Sequence, residues 1–120
     1  MREIKFRAYQ PEAKGDLKWW SWQELRESDL NTIFRHPEKY HLMQYTGLKD
    51  KNGVEIYEGD VVKGYYYING VKKRIRGRVM FGYNGWIIAS DIMWEQATIV
   101  LTSACEVIGN IYDNPELLEV

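Results

Sequence analysis

Residues 3–9 alternate, with Ile4, Phe6 and Ala8 on one side and Glu3, Lys5 and Arg7 on the other. That is the two-residue period of a half-buried strand. Residues 11–15, opened by Pro11 and closed by Gly15, interrupt the pattern, and residues 17–20 read as a returning strand. Ser21-Trp22-Gln23-Glu24 has the spacing of a capping box, in which each side chain satisfies a free backbone N–H at the other end, and predicts a short helix over 22–28. His36-Pro37-Glu38-Lys39 places proline where the first turn of a second helix would lie, ahead of an extended stretch over 41–46.

From Gly47 onward the punctuation is that of a meander. Lys51-Asn52-Gly53 reads as a turn, and residues 54–63 as a strand interrupted at Glu58-Gly59-Asp60. Asn69-Gly70 separates Tyr65-Tyr66-Tyr67-Ile68 from the run 71–75, and Asn84-Gly85 separates 78–83 from 86–89. Both predict antiparallel hairpins, because asparagine and glycine tolerate the positive φ of a two-residue turn. Residues 99–102 and 106–112 supply two further strands, and Asn114-Pro115-Glu116 opens a closing helical turn. The expected fold is mainly β (α+β). It is a small, partly open SH3-like β-barrel or a bent antiparallel sheet, with an N-terminal strand and one or two short helices. Nothing divides the chain, so it reads as one domain over 1–120, with a strand and helix portion at 1–46 and a barrel portion at 47–120.

Composition narrows the class of protein without naming a task. The 120 residues are 45% apolar and 28% charged, with 14% aromatic residues, an aromatic surplus that favours sheets. Sixteen basic side chains against seventeen acidic ones give a net charge of −1, so affinity for nucleic acid or an anionic membrane has to be local. Cys105 is the single cysteine, which makes an internal disulfide impossible and points to a reducing compartment. No apolar run approaches the roughly 20 residues of a membrane-spanning helix, and a soluble protein without a leader is expected.

Catalytic chemistry has little to stand on. His36 and His41 are five apart with no cysteine or acidic ligand pattern around them, so no metal site is expected. Asp50-Lys51-Asn52-Gly53 superficially suggests a calcium loop, yet its glycine falls at the fourth position and no glutamate follows at the twelfth. Glu55, Glu58 and Asp60 could pair as acid and base, but nothing in the sequence supplies a reason for a shifted pKa. Phosphate-binding glycine loops and nucleophile elbows are absent. The reading is therefore no enzyme, no catalytic residues and no cofactor, with Cys105 a small buried residue.

Three segments carry a family resemblance: Arg2-Glu3-Ile4-Lys5-Phe6-Arg7-Ala8-Tyr9; the stretch from Met43-Gln44-Tyr45-Thr46-Gly47 to Ile56-Tyr57-Glu58-Gly59-Asp60-Val61-Val62; and Val107-Ile108-Gly109-Asn110-Ile111-Tyr112 with the Asp113-Asn114-Pro115-Glu116 that follows. In this order the chain resembles the YopX family of small proteins encoded by bacteriophages and prophages. The resemblance implies a mostly β fold and a place of action in the cytoplasm of a bacterial host. It brings no catalytic residue, ligand or cofactor with it.

Two surfaces remain as candidates for contact. Trp19, Trp20 and Trp22 could anchor a protein partner, because tryptophan is enriched among interface hot spots and three in four residues cannot all face one core. Lys72, Lys73, Arg74, Arg76 and Arg78 form the one basic concentration, across a predicted turn from Tyr65, Tyr66 and Tyr67. Alternation sets Lys72, Arg74 and Arg76 on one face, with Lys73 and Ile75 opposite. Cations neutralise phosphates and rings stack on bases, although the same lysines would also guard a bare sheet edge. The first functional reading is a non-enzymatic binding or regulatory module that works through contacts with host or phage proteins and self-associates. The alternative is a nucleic-acid-binding module using the hairpin 65–78, with Tyr65, Tyr67, Lys72, Arg74 and Arg76 as its contacts.

Overall fold

The computed structural model describes residues 3–82, 85–90 and 97–118. The chain forms two compact units, Met1–Tyr45 and Thr46–Val120.

In the first unit β1 (Phe6–Tyr9) pairs antiparallel with β2 (Trp19–Trp20) on one side and with β3 (His41–Lys49) on the other. The strand expected from residue 3 starts only at Phe6, and Ile4 is exposed despite its place in the alternation. Between β2 and β3 lie α1 (Trp22–Glu27) and α2 (Leu30–Arg35). The capping box of α1 is formed, with the Glu24 N–H donating to Ser21 Oγ and the Ser21 N–H to Glu24 Oε1, both at 3.2 Å.

The second helix differs from expectation. Residues 37–39 form a turn, while the helix sits earlier, started by Asp29, whose carboxylate accepts the Thr32 N–H and hydroxyl. A capping aspartate combined with the burial of Ile33 outweighs proline preference at Pro37, which is satisfied by the turn. Ala8, Leu25 and Ile33 make the core of this unit, with Phe6, Trp20, Trp22, Leu30, Tyr40 and Leu42 against it.

The second unit holds the C-terminal end of β3, β4 (Glu55–Tyr57) and a five-stranded antiparallel sheet. The strands of that sheet are β5 (Asp60–Ile68), β6 (Val71–Gly82), β7 (Gly85–Ser90), β8 (Ala97–Val100) and β9 (Glu106–Asn110), in the spatial order β8-β7-β6-β5-β9. A 3-10 turn, Pro115–Leu118, follows. The sheet is bent and open: among the described residues its edge strands β8 and β9 do not pair, so of the two shapes expected the bent sheet is present and no closed barrel forms.

The Asn69-Gly70 turn has φ of 50° and 79°, the doubly positive geometry of a type I′ hairpin, flanked by the pair Ile68↔Val71. Asn84 lies outside the described residues, but β6 and β7 pair up to Gly82↔Gly85, as the second Asn-Gly implies. Glu58-Gly59-Asp60 breaks the strand pattern as expected. The Asp60 carboxylate accepts the Tyr57 N–H at 2.8 Å, and Val61 and Val62 are wholly buried.

Consecutive strand residues point to opposite faces, so burying both valines requires cover on each side. Val62 enters a core of Ile56, Ile75, Val79, Ile88, Leu101 and Cys105 on the inner face. Val61 faces outward, and Gly109, directly opposite it on β9, has Asn114 and Leu117 of the C-terminal turn packed against it. The outer face is thus covered at the start of β5 and bare at the hairpin end.

Candidate functional site

The register of β5 against β6 decides what that bare face carries. Lys63↔Arg76, Tyr65↔Arg74 and Tyr67↔Lys72 are direct cross-strand pairs, and opposite residues in an antiparallel ladder share a face. The intervening pairs Gly64↔Ile75 and Tyr66↔Lys73 face the other way, where Ile75 is buried and Tyr66 packs against the core. The expected alternation therefore holds, and Tyr65, Tyr67, Lys72, Arg74 and Arg76 lie together on one surface. Arg78, opposite Val61, extends the same row.

Both rings are open to solvent, Tyr65 at 54% and Tyr67 at 69% of full exposure. Lys72 Nζ stands 4.1 Å from the Tyr65 ring centroid, a cation over a ring face. Lys63, the cation of β5 on this side, is tied to Glu106 at 3.5 Å. Lys51 approaches the same carboxylate at 3.5 Å. β9 pairs with β5 only over 60–63 and β7 with β6 only over 78–82. Residues 64–77 form a two-stranded ribbon beyond the ladders of both neighbours.

The tryptophans are placed otherwise. Trp20 and Trp22 pack on the core of the first unit. Trp19 is on the other side of its sheet, 4.9 Å from the Tyr9 ring and with the Arg7 guanidinium 5.1 Å above it. The sequence reading that three neighbouring tryptophans cannot face one core is correct, but each of them is half-buried and held by its own unit.

Asp50 is buried and its carboxylate accepts three backbone N–H groups: Asn52 at 2.8 Å and Val54 at 2.9 Å on Oδ1, and Val107 at 2.9 Å on Oδ2. Burial pushes this carboxyl up, yet the Val107, Val54 and Asn52 donors and the Lys51 charge outweigh it and hold it below the ordinary aspartate value. The sequence marked this stretch as a turn; the bond to Val107, 57 residues away, has no local signal.

Cys105 is a buried free thiol whose pKa is pushed up by burial and by the Asp50 charge. A cleft of about 180 Å³ beside it is lined by Tyr66, Ile88, Ile99 and Thr102 among others. His36 contacts Glu38 at 3.1 Å. Among the described residues no three histidine, cysteine or acidic side chains are grouped to hold a metal ion, and no helix is long and apolar enough to cross a membrane.

Fold and surface together define a small, mainly β protein whose exposed chemistry is a basic, tyrosine-bearing hairpin face. Residues 4–119 match the family described as YopX protein, and the chain belongs to that family. A crystal structure of protein EF1440 from Enterococcus faecalis is similar to it, with 25% sequence identity and a TM-score of 0.54 over 99% of this chain and 100% of that one. No curated protein matches the chain.

Proposed function

We propose that this protein is a non-enzymatic, phage- or prophage-encoded binding module of the bacterial cytoplasm whose ligand is nucleic acid, held on the outer face of the β5–β6 hairpin. The observation that supports it is the joint presentation of Tyr65 and Tyr67 with Lys72, Arg74 and Arg76 on one bare surface. Four cations in line on β6 concentrate positive potential that a net charge of −1 hides. Flat rings between such cations suit bases, whose faces stack without regard to sequence.

Binding of fluorescent oligonucleotides, followed by anisotropy while salt is raised, tests the reading. Wild-type protein is expected to bind at low salt and weaken linearly in log salt. The variant K72A/R74A/R76A/R78A, with unchanged circular dichroism, is expected to lose about a hundredfold or more in affinity. Equal binding by that variant, or no binding by the wild type at low salt, removes the proposal.

A second reading, self-association or docking of a protein partner, draws on the ribbon's other side. There Ile68 and Val71 flank the turn and are each more than half exposed. Light scattering at high micromolar concentration decides it: a dimer that I68S/V71S returns to monomer supports this reading, and a strict wild-type monomer removes its self-associating form.

A further inference from the structure

We infer that the hairpin face takes an extended single strand, with its phosphates along β6 and its bases over β5. This rests on the nucleic-acid reading above and adds to it the form and direction of the ligand.

Three features carry the inference. First, Lys72, Arg74, Arg76 and Arg78 stand on alternate positions of one strand. At about 3.4 Å rise per residue their rungs repeat every ~7 Å, a spacing like that of successive phosphates in an extended polynucleotide. Second, the neighbouring strand places Tyr67 directly opposite Lys72 and Tyr65 opposite Arg74, about 5 Å to the side. A chain whose phosphates follow β6 therefore swings its bases over these rings. A duplex keeps its base faces stacked on one another and leaves both tyrosines unused.

Third, β5 offers phosphates a single cation on this face, Lys63, against the four of β6. That leaves β6 as the phosphate track. Lys72 already lies over the Tyr65 ring, so Tyr67, the more exposed of the two, is the principal stacking platform. Phosphate contact and base stacking are chemistry shared by RNA and DNA, and oligo-U and oligo-dT of equal length are expected to behave alike.

The test uses the full chain with 12-nucleotide oligo-dT, oligo-U and a DNA duplex of the same length. For the single strands, log affinity against log salt is expected to fall with a slope near −3, about 0.7 for each of four phosphates. Each of R74A and R76A should flatten the slope by roughly 0.7. Y67A should weaken binding about tenfold while Y67F retains it, and Y65A should cost less. The duplex should bind at least about tenfold more weakly than the single strands, because it forfeits stacking on both rings.

Duplex binding as tight as single-strand binding, with the quadruple cation variant still defective, overturns the single-strand inference and leaves the binding surface standing. The same holds if Y67A binds like the wild type. Absence of binding by any of the three ligands at low salt overturns both.

Discussion

Replacing Gly77 by alanine is expected to lower stability by about 3 kcal/mol or to prevent folding altogether. Gly77 lies on β6, on the inner face opposite Val62. A Cβ there would sit 2.3 Å from the Ala89 carbonyl oxygen and 2.8 Å from its carbon. These are backbone atoms of β7, which cannot swing aside as a flexible side chain would. Ser90 N, at 3.1 Å, closes the space further. The Ala89–Ser90 peptide thus lies directly against Gly77, and the missing side chain is what permits that approach. Chemical denaturation of G77A, with R74A at an exposed position of the same strand as control, checks this: the control should stay within about 0.5 kcal/mol of wild type.

Asp50→Ala is the second substitution expected to have a large effect, destabilising by about 3 kcal/mol because three backbone donors lose a charged acceptor. Asp50→Asn separates the parts. An amide oxygen can still accept the Asn52 and Val54 N–H groups, whereas its NH₂ would meet the Val107 N–H donor to donor. A smaller loss of about 1–2 kcal/mol is expected for it.

The sign of the pH dependence follows from the depressed carboxyl. Its contribution is fully present above the ordinary aspartate value of 3.8 and is lost as pH falls through the lower value of the folded state. Wild-type stability should therefore decline from about pH 4 downward by an increment that D50N lacks. Parallel acid profiles for wild type and D50N would exclude this clamp as the source.

How much of this was legible in the sequence depends on the range of each interaction. Asn69-Gly70 specifies its own turn through backbone conformation, and with it the register that gathers Tyr65, Tyr67, Lys72, Arg74 and Arg76. Ser21-x-x-Glu24 likewise closes on itself. The helix at Leu30–Arg35 carried a local signal too, Asp29 three residues before Thr32, but it was masked by the more familiar proline signature at Pro37.

The long-range features left no such trace. Gly77 reads as an ordinary interruption in a basic strand until the backbone of β7 is found against it. Asp50 reads as a turn residue until Val107 is found against it. The tryptophans illustrate a third case, in which the crowding of three into four residues demanded that they divide between surfaces, while only the pairing Tyr9↔Trp19 and Ala8↔Trp20 shows which goes where.

Photo-crosslinking the full-length protein to a single-stranded oligonucleotide, with the adducts mapped by mass spectrometry, tests the binding surface most directly. The expected result is adducts on the peptide bearing Tyr65 and Tyr67, chiefly at Tyr67, that disappear in the K72A/R74A/R76A/R78A variant. Adducts confined to other parts of the chain, such as Trp19, or unchanged by removal of the four cations, would contradict it.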